Sequence, residues 1–254
     1  MAVGLTLLAL GVFVFGLVCL VLLPSRRLRI AACNVFGHLM GPMLLTVSGT
    51  RLVGNPALHM QQAFPAIYVS NHTSIIDMFI AIACCPLFTC GVAKKEIIYY
   101  PFFGQLYYMS GHLRIDRGNR EAAAAGMQQT AQLVSRFGLG MWIWAEGTRS
   151  RAGRLQPLKK GFAHMALATR LPIVPVVVKG AHKGWVKNSM LSRPCSVEVQ
   201  VLPAIRTEQW SMATLDEHIA EVHAAFNAAL PDDQKGVPMT VPERARAAAQ
   251  QATA

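Results

Sequence analysis

Met1 to Leu23 carry no charged side chain, and Arg26, Arg27 and Arg29 follow at once. A helix that crosses a bilayer needs roughly 20 apolar residues, so this run is long enough. A cleaved leader carries its basic residues before a shorter apolar core. Here the arginines come after the run. The pattern predicts an uncleaved anchor helix over residues 1–24. The positive-inside rule puts the rest of the chain on the cytoplasmic side, as in a bacterial inner membrane.

Residues 25–49 are also apolar, but Asn34, Gly37, His38, Gly41 and Pro42 interrupt them. A second span would carry everything downstream back across the bilayer. This segment is therefore expected to lie in the interface or dip into it. The six cysteines contain no C-x-x-C spacing and no zinc pattern, which predicts free thiols facing a reducing compartment. The net charge of +11 calls for an acidic partner. Nucleic acid is excluded as that partner, because no finger spacing, RNP-type motif or long basic run is present. An anionic lipid bilayer is the expected one.

From residue 50 to 230 the chain alternates. β-like runs at 66–70, 88–93, 112–115, 141–145, 173–178 and 196–202 are separated by helical patterns, including one capped by Asn119, one over Lys159–Arg170 and one over Thr214–Leu230. This is an α/β pattern, with a mostly parallel or mixed central sheet flanked by helices. Residues 231–254 are polar and expected to be a mobile tail.

Polar clusters follow four of the predicted strands: Asn71-His72, Lys94-Lys95-Glu96, Asp116-Arg117 and the block from Glu146 to Ser150. Ligands of open α/β sheets bind beyond the carboxyl ends of the strands. If the strands are parallel, all four clusters share one rim. The segment VSNHTSIID (69–77) has two readings. Ser74-x-x-Asp77 before an apolar run is a capping box, with Ser74 as N-cap. His72 lies just before that helix start, where an Asp77 that reaches back would meet it, and such a pair can act as a base and its orienting partner. The chain contains no G-x-S-x-G elbow, so the base would act on a substrate hydroxyl. Arg117 and Arg149 could hold an anion. Glu146 could orient Arg149 or bind a substrate hydroxyl, and Gly147 would let backbone approach a ligand. Asn71 could brace the turn.

These blocks resemble a known family. NHTSIID, AKKEIIYYPFFG (93–104), GHLRIDR (111–117), EGTRS (146–150) and LPIVPVVV (171–178) are similar, in order and spacing, to the motifs of the glycerolipid acyltransferases, the 1-acylglycerol-3-phosphate acyltransferase family. The resemblance implies acyl transfer from acyl-CoA or acyl-carrier protein to the free hydroxyl of a lysophospholipid, giving phosphatidate when the acceptor is lysophosphatidate. Another lysolipid acceptor, such as lyso-ornithine lipid, or thioester hydrolysis, is the alternative. It implies His72 as base and Asp77 as its partner. Arg117, Glu146, Gly147, Thr148 and Arg149 would form the acceptor site, with Asn71, Ser74, Lys95 and Pro175 as further candidates. No metal and no tightly bound cofactor are expected. Ala145 stands where the family commonly has proline before its Glu-Gly-Thr-Arg block, which could loosen that turn or retune the pocket.

Overall fold

The structure is a computed structural model that describes residues 2–54, 56–99, 103–115, 120–185, 189 and 191–240. Two apolar helices, α1 (Ala2–Val21) and α2 (Arg26–Val47), precede the sheet. Then come β1 (Thr50–Val53), α3 (Pro56–Gln62), β2 (Ile67–Ser70), α4 (Ile76–Cys84) and β3 (Thr89–Lys94). A short 3-10 helix, Lys95–Tyr99, leads to α5 (Phe103–Met109), β4 (Leu113–Ile115) and α6 (Arg120–Phe137). The chain continues through β5 (Gly140–Trp144), α7 (Gly161–Thr169), β6 (Ile173–Lys179), α8 (Ala181–Gly184), β7 (Cys195–Val201) and α9 (Leu215–Ala229).

The strands form one sheet in the order β1-β7-β6-β2-β5-β3-β4. β6, β2, β5, β3 and β4 run parallel, and β7 with β1 runs the other way. The sheet is mixed, as the alternating pattern predicts. β2, β3, β4 and β5 share one direction, so the clusters that follow them project from one edge. Both faces are covered. Alternate residues Ile67, Val69, Met141 and Ile173 face α6, α7 and α9, while Tyr68, Trp142, Val174 and Val176 face α4. Burial on both sides explains why these strands read as unbroken apolar runs. β1 escaped the sequence reading because Thr50–Val53 is only four residues long and half exposed.

The interruptions in residues 25–49 have a structural cause. α2 is helical throughout and docks on the sheet domain through those very residues. Asn34 Nδ2 donates to the Thr89 carbonyl (3.0 Å) and Asn34 Oδ1 accepts from the Thr89 N–H (3.2 Å). His38 Nε2 donates to the Cys85 carbonyl at 2.7 Å. Gly37 and Gly41 let α2 touch α4: a Cβ on Gly37 would lie 2.8 Å from the Ile82 carbonyl oxygen, and one on Gly41 2.7 Å from Ala83 Cβ. By length and composition α2 could cross a bilayer, yet one side of it is committed to protein. α1 lies along α2 and α5, where Cys19, Phe36 and Leu106 are closed off together. On the outward side Leu10, Phe13, Leu17, Leu20, Leu28 and Leu39 are exposed.

The tail also departs from expectation. Residues 231–240 lie against the domain rather than free of it. Gln234 is 1% exposed; its carbonyl accepts from the Leu155 N–H (2.9 Å) and its Oε1 from the Gly180 N–H (2.8 Å). Gln234 is spent on domain backbone, while the neighbouring Asp232 and Asp233 side chains stay exposed. Residues 241–254 lie outside the described residues.

Asn34→Ala removes the Asn34 donor to the buried Thr89 carbonyl and one of the two acceptors of the Thr89 N–H, leaving that N–H only the Pro86 carbonyl at 3.2 Å. A buried unpaired backbone group costs about 1–3 kcal/mol, so the variant is expected to unfold at clearly lower denaturant. An unchanged midpoint would mean that α2 is held by its apolar face alone.

Candidate active site

β2 is the middle strand of the seven, flanked by β6 and β5, and its last residue, Ser70, delivers Asn71 and His72 to the sheet edge. Both neighbours hold this turn. Asn71 Nδ2 donates to the Val178 carbonyl and its Oδ1 accepts from the Val178 N–H, both at 2.8 Å, which ties the turn to β6. On the other side, beyond β5, Glu146 Oε1 accepts from the His72 N–H (2.7 Å), and the Ser150 N–H donates to the His72 carbonyl (2.8 Å). The main chain of His72 is thus gripped at both polar groups by the block from Glu146 to Ser150.

The side chain is held by α4. His72 Nδ1 lies 2.9 Å from Asp77 Oδ2. The same oxygen accepts from the Thr73 N–H (2.6 Å) and the Ser74 N–H (2.8 Å). Asp77 is 1% exposed, and three donors on one oxygen compensate the burial of its charge. A carboxylate only accepts, so the Nδ1 proton points at Asp77 and the Nε2 lone pair points away.

Half of the expected capping box forms. Asp77 reaches back to the Ser74 N–H, as a third-position carboxylate should, but α4 starts at Ile76 with Ile75 in the capping position. The Ser74 hydroxyl instead donates to the Trp185 carbonyl (2.8 Å) and accepts from the Ile76 N–H (3.2 Å). The loop after α8 has captured it. Ser74 and Asn71 therefore build the turn, and neither presents a free group outward.

Glu146 is 1% exposed and its second oxygen is also engaged: Oε2 accepts from Gln156 N and Gln156 Nε2, both at 3.1 Å. It neither orients Arg149 nor faces solvent; it fastens His72 to the return of its own loop. Burial pushes its carboxyl up to about 7, against the hydrogen bonds from His72 and Gln156 that favour the ionised form. Gly147 sits at φ 73°, a conformation that glycine takes without strain. Its N–H donates to the Trp144 carbonyl at 3.0 Å. Thr148 is exposed and its carbonyl accepts from Gln156 Nε2. Arg149 is half-buried, and its Nη1 is buried without a protein partner among the described residues. The loop lines a cleft of about 500 Å³ that includes Arg149, Arg151, Arg154 and Gln156. Ala145 does not loosen the turn: it is 3% exposed and its carbonyl accepts from the Lys159 N–H at 2.7 Å.

Lys95 is exposed at the start of the 3-10 helix, beyond the end of β3. Pro175 lies inside β6, paired with Val69 of β2, and its carbonyl accepts from Leu202 N–H. It is buried in the sheet, away from the edge where His72 emerges, and with no N–H it sits where the β6–β7 ladder, which covers Val176–Lys179, gives out. Arg117 and Asn119 lie outside the described residues. The sequence reading missed Gln156 and Trp144, whose ring stacks on His72. Gln156 had no signal beyond its polarity. Trp144 had one, since alternation places it on the α4 face two residues before Glu146.

A carboxyl whose folded value, about 7, lies above the ordinary 4.5 binds its proton more tightly in the folded state. Its contribution to stability therefore falls as pH rises from about 4.5 to about 7 and is flat above, a change on the order of 3 kcal/mol. Glu146→Gln cannot titrate and turns an amide toward the Gln156 donors. Denaturation at pH 5 and pH 8 should show this slope in the parent and its loss in the variant. Equal pH dependence in both proteins would refute the assignment.

Residues 56–179 match the Acyltransferase family. The chain is 40% identical over 221 residues to a 1-acyl-sn-glycerol-3-phosphate acyltransferase of Limnanthes douglasii, covering 87% of this chain and 78% of that one. It is 31% identical over 232 residues to the enzyme of the same name from Escherichia coli (strain K12), covering 84% and 92%. Among solved structures, the 1-acyl-sn-glycerophosphate acyltransferase PlsC of Thermotoga maritima shares the fold, with a TM-score of 0.62 at 19% identity over 85% of this chain and 92% of that one. The matching motifs, the mixed sheet and these relatives together place the chain in the 1-acyl-sn-glycerol-3-phosphate acyltransferase family of O-acyltransferases.

Proposed function

We propose that the protein transfers an acyl chain from a thioester, acyl-CoA or acyl-carrier protein, to the free hydroxyl of 1-acylglycerol-3-phosphate, with His72 as general base. The observation that carries this reading is the His72–Asp77 pair at 2.9 Å, locked at backbone and side chain, at the sheet edge that also bears the unpaired Arg149 nitrogen. The names of the relatives support the acceptor.

In this mechanism His72 Nε2 takes the proton of the acceptor hydroxyl as its oxygen attacks the thioester carbonyl. Asp77 stays ionised and stabilises the imidazolium. Collapse of the tetrahedral intermediate expels the thiolate, which takes up the proton from Nε2. No protein acyl intermediate is involved. Among the described residues no hydroxyl or thiol is hydrogen-bonded to the His72 ring, and burial pushes the Cys84, Cys85 and Cys90 thiols up to about 12, out of nucleophilic range. Arg149, together with Arg117, receives the acceptor phosphate. No resident cofactor takes part.

The acceptor lives in a bilayer, and the outward leucine and phenylalanine side chains of α1 and α2 hold the domain there, with basic residues drawn to anionic headgroups by about 1 kcal/mol each.

Transfer from acyl-CoA to lysophosphatidate is the test. His72→Ala should lose at least about 100-fold in kcat while binding of the acceptor is retained. Arg149→Ala should raise KM for lysophosphatidate far more than KM for the donor, and Arg149→Lys should restore it poorly because a bidentate contact is lost. Preference for a different lysolipid in a panel of acceptors would overturn the acceptor assignment; thioester hydrolysis outrunning transfer at saturating acceptor would overturn the transfer reaction.

A further inference from the structure

The Trp144 indole stacks on the His72 imidazole, with ring centroids 4.7 Å apart and planes inclined by 22°. The β-ladder explains why the two rings meet. Tyr68 of β2 is registered with Trp142 of β5, and Ser70 with Trp144. All four side chains point to the α4 face. Tyr68 and Trp142 stack at 6.2 Å and are buried, an ordinary core pair. One pleat further on, Trp144 stands opposite Ser70, which is too small to cover an indole. The strand ends there, and the ring that covers the indole is His72.

Trp142 and Trp144 each bury an indole Nε1 without a partner among the described residues, so that cost is common to both. What sets Trp144 apart is its neighbour, since the ring on its face is an imidazole, which can take up a proton, where Trp142 has the phenol ring of Tyr68. What the indole offers in return is the flat π-face that best attracts a cation. The neutral imidazole of the resting pair becomes an imidazolium when it takes the acceptor proton, and it does so against this face.

We propose that Trp144 is a positioning residue for acyl transfer: with Asp77 it fixes the plane of the His72 ring so that Nε2 meets the acceptor hydroxyl, and its π-face stabilises the imidazolium formed in the transfer step. The inference rests on the reading of His72 as the base. The titratable or charged groups around the pair are Asp77 from α4, Glu146 and Arg149 from the loop after β5, and His182 from α8, which lies within electrostatic reach of Asp77. None of them stacks on the ring, so their effects are separable from that of Trp144.

The experiment compares Trp144→Phe, Trp144→Leu and His72→Ala with the parent in lysophosphatidate acylation across pH, alongside thermal denaturation. Trp144→Leu should lower kcat by about tenfold, with KM for both substrates within about twofold, the size expected for one cation–π contact. Its acidic activity limb should move to lower pH by about one unit, because the protonated ring has lost the same favourable contact. Trp144→Phe keeps a flat face and should recover most of kcat and the parent limb; it also serves as the informative variant if leucine prevents folding. A folded Trp144→Leu protein with the parent kcat and pH limb, or a phenylalanine variant as impaired as leucine, overturns the proposal while leaving His72 as base. Full activity in His72→Ala overturns both.

Discussion

One carboxylate oxygen organises the turn between β2 and α4. Asp77 Oδ2 gathers the Thr73 and Ser74 N–H groups and the His72 ring. The two backbone bonds bend the chain between β2 and α4 so that His72 falls beside the helix start. The third bond uses that bend to orient the imidazole. In one continuous helix, residues five apart would diverge around the axis; they meet here because Asp77 itself folds the intervening residues back. The same bonds that start the helix therefore aim the imidazole. Removing the carboxylate would cost both the shape of the turn and the orientation of the ring.

The rest of the sheet edge serves this turn. β6 holds Asn71 through the Val178 peptide, and the loop after β5 holds the His72 peptide through Glu146 and Ser150. The loop is itself anchored by Gln156 on Glu146 and by the Gln234 carbonyl on Leu155. A chain of buried polar contacts thus runs from the C-terminal segment through the Arg149-bearing loop to His72. Glu146 sits in the middle of it. Its burial raises its carboxyl while its hydrogen bonds oppose that rise, which makes the same group a fastener and a source of pH-dependent stability.

The N-terminal helices solve a different problem. α2 docks on the sheet domain by one side and carries exposed apolar side chains on the other. Asn34, His38 and two glycines turn toward β3 and α4, while leucines and valines turn outward. Its composition alone reads as a greasy segment with faults. The faults are the docking surface, and the glycines are there because the α2–α4 approach leaves no room for a Cβ.

The sequence by itself determined the fold class, the strands β2 to β7 and the order of the polar clusters. The apolar period of two, the strand-end polarity and the family motifs are all local along the chain. It also located His72, Asp77 and the Glu146 to Ser150 block. It did not determine which of these polar residues face a substrate and which face protein backbone. Glu146 read as an acceptor-site group and Asn71 and Ser74 as a turn brace and an N-cap, and the fold spends all three on protein groups: His72, Gln156, Val178, Trp185 and Ile76. Pro175 matches a family motif but lies within β6. The polar tail looked mobile until Gln234 found the peptides of Leu155 and Gly180. Most of these partners lie tens to more than a hundred residues away, which no local pattern specifies. Buried polar groups must be paired, and only the tertiary structure decides with what.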